Sequence, residues 1–146
     1  MDVSSLDQVL PNWRLLRDAS RQCRLNAHAP YSGYLVGAAL LSTCGKIITG
    51  CNVENASYGL TICAERTAAC AAVAAGVTQF SAICISLKDH AVPCGACRQF
   101  LYEFNPDMWV LCDQVTADPV PDDQSLRLFQ LRDLLPHAFE FTGSRD

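Results

Sequence analysis

Cys63-Ala64-Glu65-Arg66 and, 31 positions on, Pro93-Cys94-Gly95-Ala96-Cys97 decide how this chain is read. Each stretch stands where a strand pattern hands over to a helical one. Cys63 opens a helix that runs through Arg66, Thr67 and the alanine-rich run to Ala75, with Gly76 as its stop. Cys94 and Cys97, three apart, fall on one face of a second helix. Thiols at helix N-termini are favoured as thiolates by the positive end of the macrodipole, and the thiolate is the form that ligates metal. Soft sulfur ligands point to zinc. No further cysteine or histidine stands near these two stretches at a ligand-like spacing. Three protein ligands and one open position describe a catalytic rather than a structural zinc, with bound water as nucleophile. Glu65, two residues past the first ligand, is the natural proton carrier for that water.

Outward from this centre the strands and helices alternate. An N-terminal helix is expected over about 11–25, from the spacing of Trp13, Leu16, Ala19/Ser20 and Cys23, with Pro11 in its first turn. Arg14, Arg17, Arg21 and Arg24 share its other side and read as a solvated or subunit-facing surface. The helix ends before Ala29-Pro30, because the residue before proline avoids the α region. Tyr34–Ser42 and Lys46–Asn52 read as strands joined by a turn at Cys44-Gly45, the first so apolar that both its faces should be covered. A polar loop over 52–58 leads to the Cys63 helix. Further strands are expected at Ala82–Leu87, Trp109–Cys112 and Ser125–Phe129, with the Cys94 helix reaching about Phe104. Asp113–Gln124 reads as a long loop or hairpin, Leu131–Leu135 as a short helix, and about 136–146 as a tail ordered only as far as its aromatics are buried. The alternation predicts one α/β domain over 1–146: a three-layer α/β/α sandwich around a five-stranded mixed sheet.

Composition narrows the function. Half of the 146 residues are hydrophobic and the net charge is −4, without a Lys/Arg cluster. A chain like this is a poor nucleic-acid binder, since phosphate contacts supply most of that affinity. Met1–Leu10 has neither a basic start nor an apolar run, and no stretch is long enough to span a bilayer. Nine cysteines, an odd number without a secretory signal, read as free thiols in a reducing cytoplasm, with Cys23, Cys51, Cys70, Cys84 and Cys112 as small core fillers.

The motifs together resemble the small, homotetrameric, three-cysteine cytidine deaminases. The resemblance rests on Pro30-Tyr31-Ser32, Val36-Gly37-Ala38-Ala39, Asn52-Val53-Glu54-Asn55-Ala56, Cys63-Ala64-Glu65-Arg66, Pro93-Cys94-Gly95-Ala96-Cys97-Arg98-Gln99 and Leu134-Leu135-Pro136, in the family's order. It implies Zn2+ on Cys63, Cys94 and Cys97, and Glu65 as the shuttle that moves protons to the pyrimidine N3 and the leaving amine. It also implies that Arg66 offsets the charge of the three thiolates, with Arg98 a weaker candidate for the same task. Asn52 and Glu54 resemble the pair that holds the ribose 3′-hydroxyl, and Ala64 would present its backbone to the base edge. Tyr34 stands where the family usually places a phenylalanine against the pyrimidine. Tyr58 and Phe139 resemble aromatics that reach an adjacent subunit's site. The implied partners are a nucleoside substrate and further copies of the chain. Thr61, in place of a small residue, and the long 113–124 segment depart from the family pattern.

Three rivals stand beside this reading. A deaminase of a nucleoside antibiotic such as blasticidin S would use nearly the same scaffold, although the Asn52/Glu54 pair favours a free ribose. A non-catalytic zinc-stabilised interaction module would need a fourth protein ligand. A polynucleotide deaminase would usually carry histidine in place of Cys63 and a basic groove.

Overall fold

The computed structural model describes residues 3–116 and 122–141, with side chains from 5 to 116 and from 124 to 141. Its centre is a five-stranded sheet in the order β2-β1-β3-β4-β5, with β1 Gly37–Ser42, β2 Ile47–Cys51, β3 Phe80–Leu87, β4 Trp109–Gln114 and β5 Leu126–Gln130. β3 and β4 run parallel and the other pairs are antiparallel, so the sheet is mixed as expected. All six residues of β1 are buried. Its side chains alternate between faces, as a pleated strand requires: Ala38 and Leu40 join one core, Ala39 and Leu41 the other.

Two cores make three layers. On one face lie α1 (Val3–Val9) and α2 (Trp13–Arg24); their Leu6, Trp13 and Leu16, with Leu10 from the turn between them, pack against Ala39, Leu41, Ala82, Cys84 and Leu111. On the other lie α3 (Ala64–Ala74), α4 (Gly95–Tyr102) and, after a short α5 (Asp122–Ser125), α6 (Leu131–Leu134). The inner side of α3 is Ala64, Ala68, Ala69 and Ala72, all fully buried. Alanines there let its backbone approach the sheet, and Gly50 of β2 completes the fit. A Cβ on Gly50 would stand 2.3 Å from the Ala68 amide nitrogen and 2.7 Å from the Ala64 carbonyl oxygen. Gly37 does the same for α2, where a Cβ would lie 2.0 Å from the Ser20 carbonyl oxygen.

Several boundaries differ from expectation for identifiable reasons. α1 was not read in the sequence, and Pro11 lies in the turn between α1 and α2; α2 starts at Trp13 with Asn12 at its cap position. β1 starts at Gly37 rather than Tyr34, because the Asn52 amide takes over the backbone groups that would extend the ladder: Val36 N–H donates to its Oδ1 and its Nδ2 donates to the Tyr34 carbonyl, both at 2.8 Å. The arginines of α2 are only in part a solvated face, with Arg14 about half exposed. Arg21 makes two hydrogen bonds, of 2.7 and 2.6 Å, to the buried Asp113, Arg24 donates to the Leu35 carbonyl, and Arg14 pairs with Asp7 while lying over the Trp13 ring. Of the expected cysteine core fillers only Cys84 and Cys112 are buried; Cys23 and Cys51 are half-buried and Cys70 is exposed. Asp113 and Gln114 belong to β4, and 117–121, in the segment read as a long loop, lie outside the described residues, as do tail residues 142–146. No helix among the described residues is long and apolar enough to cross a membrane.

Candidate active site

Two helix starts meet at the site. Cys63 and Cys94 hold the cap positions of α3 and α4, with extended backbones (ψ 153° and 163°) and no side-chain capping bond, so both sulfurs are free to turn inward. Cys97, one turn into α4, is buried beside them. The Cys63 and Cys94 sulfurs are 3.8 Å apart, and all three lie within 4.8 Å of one another. Sulfurs bound at about 2.3 Å around a tetrahedral zinc stand about 3.8 Å from each other, so the Cys63–Cys94 separation matches that ion and the third sulfur lies within about 1 Å of doing so. It is a three-thiol set: among the described residues no histidine or carboxylate completes it.

The electrostatics favour the thiolate at Cys63. The hydrogen bond with Cys97 holds its pKa down to about 5, with Arg66 and Cys94 adding to the effect against a burial that raises it. The same contact and burial push Cys97 up. Arg66 Nη2 donates to the Cys63 sulfur at 3.7 Å, while its buried Nε has no partner. Arg98 does not share the task. Its Nε and Nη1 donate to the carbonyls of Pro93 and Leu134 at 2.6 and 2.7 Å, tying the start of α4 to the end of α6.

Glu65, the second residue of α3, is 5% exposed. Burial pushes its carboxyl above the usual carboxylate range, and the neighbouring Cys63 sulfur adds to the shift. It opens into a cavity of about 240 Å³ lined by Tyr34, Asn52, Thr61, Cys63, Ala64 and the apolar Val36, Ile85, Leu87, Ala91 and Val92. Here a thiol, a buried carboxyl and an amide meet in a mostly greasy slot, the profile of a small-molecule site.

Five of the residues singled out in the sequence therefore share one cavity: Tyr34, Asn52, Cys63, Ala64 and Glu65. Glu54 and Tyr58 line a second, shallower hollow of about 220 Å³ with Tyr31 and Ser32, and Thr61 belongs to both. Glu54 accepts hydrogen bonds from the Ser32 hydroxyl and from the amides of Tyr31 and Ser32, which hold its carboxyl below the usual range. Tyr58 packs edge-on against Tyr31, with ring centres 5.7 Å apart, and is 74% exposed. Phe139 is equally exposed and stands away from both hollows, its backbone clipped at N–H and C=O to the Gln99 side chain. The Tyr34 hydroxyl finds its partner in Asp89 at 3.1 Å, and the Lys88 ammonium lies 4.9 Å from its ring centre. Burial first and then this bond push the Tyr34 phenol up to about 12. The sequence reading missed the apolar lining and the Lys88–Asp89 latch. Val36, Ile85 and Leu87 read only as strand core, and nothing local tells a core position from a cavity wall. Thr61 did carry a signal, as a departure from the family pattern.

Comparison with known proteins agrees with this geometry. Residues 14–113 match the family model described as the cytidine and deoxycytidylate deaminase zinc-binding region. A probable cytidine deaminase of Dictyostelium discoideum is 50% identical over 125 residues, which cover 84% of this chain and 80% of the relative. A cytidine deaminase of Mycobacterium tuberculosis is 39% identical over 130 residues, 88% of this chain and 90% of the relative. The crystal structure of cytidine deaminase from Burkholderia pseudomallei superposes with a TM-score of 0.78 at 44% identity, covering 86% of this chain and 98% of that one.

Proposed function

This chain belongs to the zinc-binding cytidine and deoxycytidylate deaminase family, and from that premise we propose that it hydrolyses cytidine and deoxycytidine to uridine and deoxyuridine with release of ammonia, as a step of pyrimidine salvage. The observation that carries the reading is that Cys63, one sulfur of a three-sulfur cluster, and the buried Glu65 carboxyl line the wall of one mostly apolar cavity. Cys63, Cys94 and Cys97 would hold the zinc. When bound, the ion supplies a Lewis-acidic centre at which water ionises near neutral pH.

The work of the chain itself is positioning and proton transfer. Glu65 takes a proton from the attacking water and delivers it to N3 of the pyrimidine, which leaves C4 electron-poor. The water oxygen bonds to C4, and Glu65 then carries a second proton, from that new hydroxyl, to the exocyclic nitrogen, whose bond to C4 breaks as it departs as ammonia and the C4 oxygen becomes a carbonyl. A carboxyl whose burial raises its pKa is suited to both directions, because an effective shuttle sits nearer the working pH than a free carboxylate does. Its place on the rigid first turn of α3 fixes it relative to Cys63. The Arg66 guanidinium, donating to Cys63, offsets part of the negative charge of three thiolates.

Substrate grip follows the two hollows. The base enters the apolar slot against Tyr34, with the Ala64 backbone at its edge. Asn52 and Glu54 take the ribose. Asn52 already spends one amide proton and one lone pair on the Tyr34–Val36 backbone, which leaves a donor and an acceptor in reserve. Glu54, pre-set by Ser32 and two amides, is oriented before substrate arrives. Thr61, between the hollows, stands where base and sugar join. The exposed Tyr58 and Phe139, with Leu60 and Phe141 also exposed, support a homotetramer in which each site borrows from a neighbour, in the cytoplasm.

The test is Glu65→Gln in zinc-loaded protein, followed by the ultraviolet change of cytidine. Turnover should fall by about 10²–10⁴-fold or more with zinc retained. Unchanged turnover with full zinc occupancy would sink the reading. Parallel assays with deoxycytidine, the 5′-monophosphates and blasticidin S set the substrate range.

A further inference from the structure

The substrate cavity is walled by segments far apart in the chain, and one side-chain bond joins two of them directly. Tyr34 and Val36 come from the stretch before β1, Ala91 and Val92 from the connection between β3 and α4. Tyr34, Val36 and Val92 pack against the same core. The Tyr34 hydroxyl donates to Asp89 Oδ2 at 3.1 Å across 55 residues. The Lys88 ammonium lies over the same ring, 4.9 Å from its centre. Two consecutive residues of the connection thus hold Tyr34 at its tip and over its face.

The other ties on this connection lie at its two ends. The Leu87 carbonyl accepts from the Val115 N–H at 2.7 Å, and the Lys88 carbonyl from the Gln114 amide at 3.2 Å. At the far end Arg98 Nε donates to the Pro93 carbonyl at 2.6 Å. Between those anchors the Tyr34–Asp89 bond is the one hydrogen bond made by residues 89–92 among the described residues, where the buried His90 Nδ1 has no partner. Ala91 and Val92 have no hydrogen-bonding side chain of their own, so their place against the slot follows from the bond made two residues earlier.

We propose that Asp89 is a positioning residue that sets base selectivity: by holding the Tyr34 hydroxyl it fixes the wall at 91–92 against the wall at 34–36, and so penalises a pyrimidine enlarged at its ring carbons. This role rests on the cytosine-nucleoside reading of the same cavity. A methyl group at C5 measures the width, since it enlarges the ring without adding a hydrogen-bonding group. An apolar pocket discriminates one methylene by about 10–200-fold, and the figure falls when its walls can part. Asp89 itself is exposed, so replacing it leaves core packing untouched.

Zinc-loaded wild type, Asp89→Ala, Asp89→Asn, Tyr34→Phe and the Tyr34→Phe/Asp89→Ala double variant are compared on cytidine and 5-methylcytidine. In Asp89→Ala the KM for cytidine should rise by about 2–10-fold, the scale of one lost hydrogen bond, with kcat within about twofold. The preference for cytidine over 5-methylcytidine in kcat/KM should shrink by about threefold or more. Comparing that preference between variants cancels the methyl group's own effect on reactivity at C4. Asp89→Asn keeps a carbonyl oxygen as acceptor and should stay near wild type. Tyr34→Phe should match Asp89→Ala, and the double variant should add nothing to either, because all three break one bond. Amide hydrogen exchange reads that bond without substrate: peptides spanning 88–93 should exchange faster in Asp89→Ala, and those of α4 should not. Unchanged exchange at 88–93, or an unaltered preference between the nucleosides, overturns the proposal. So does an Asp89→Asn variant that behaves like Asp89→Ala, which would make the carboxylate charge the cause. Titration calorimetry in a Glu65→Gln background measures the same preference as binding, so failure of deamination and failure of the Asp89 role are read separately.

Discussion

Gly50→Ala puts the link between packing and chemistry to its hardest test. The new methyl carbon would stand 2.3 Å from the Ala68 nitrogen, 2.7 Å from the Ala64 oxygen and 2.8 Å from the Ala68 Cα. All three belong to the backbone of α3, so no flexible side chain can absorb the clash. Carbon contacts settle near 3.5 Å, and α3 must therefore back away from β2 by roughly 1 Å. Overpacking of this kind costs about 1–3 kcal/mol. For a chain of this length that corresponds to a fall in Tm of about 3–12 °C. The catalytic consequence is separate. α3 carries Cys63 and Glu65, whereas α4 carries Cys94 and Cys97, so a displaced α3 pulls one sulfur and the proton carrier away from the other two. A misplacement near 1 Å can cost about 10²-fold in rate. Differential scanning calorimetry, metal analysis and the cytidine assay read the three effects. Gly59→Ala is the control, since a Cβ there meets nothing within 4 Å and should change stability by less than about 0.5 kcal/mol. Gly50→Ala with unaltered Tm and kcat would refute the claim that β2 sets the position of the metal-binding helix.

Arg66→Leu should raise the Cys63 pKa from its depressed value near 5, where Arg66 supports the larger effect of Cys97. Protons then compete better for the sulfur, so chelator competition between pH 5 and 8 should show zinc lost at a higher pH and held about 10–100-fold more weakly. Asn52→Ala strands the Val36 N–H and the Tyr34 carbonyl, at a cost of about 2–4 kcal/mol for two partly buried groups, and should raise KM; urea unfolding and cytidine kinetics measure both. Tyr34→Phe tests the phenol at high pH. The folded pKa of about 12 lies above the ordinary 10.0, so Tyr34 adds stability that is full below pH 10 and lost as pH rises through 12. The difference in Tm between wild type and Tyr34→Phe should therefore shrink or reverse across that window, and an unchanging difference would contradict the buried phenol.

The layered fold was legible because its signals were regional. β1 is buried on every residue and apolar on nearly all of them, which only a strand covered by helices on both sides can satisfy, and two helix starts marked by cysteine fixed the order of elements around it. The sequence reading placed five strands where five are found. What escaped it were features decided by single side chains acting over distance. Tyr34–Val36 has the composition of a strand, yet Asn52, 16 residues beyond Val36, outcompetes a neighbouring backbone for its hydrogen-bonding groups. The arginines of α2 carry the periodicity of a solvated face, yet Arg21 reaches Asp113 across 92 residues. α1 has Leu6, with Leu10 just past its end at helical spacing, but so short a segment forms only because α2 and the sheet give it a surface to cover.

The same distinction separates the two halves of the site. The metal cluster and Glu65 are local in origin, since each sits on the first turn of a helix whose start the sequence marks, and the meeting of α3 with α4 needs only the sheet between their strands. The substrate wall is not local. Its segment 34–36 lies outside the strands and, besides one backbone bond from the Asn52 N–H to the Val36 carbonyl, is held by the side chains of Arg24 from one layer and Asn52 from the end of an edge strand. A chain could keep every cysteine and lose substrate selectivity through either of those two contacts. Differences in substrate range between chains with identical metal motifs should therefore be sought where α2 and β2 hold the wall, rather than at the metal.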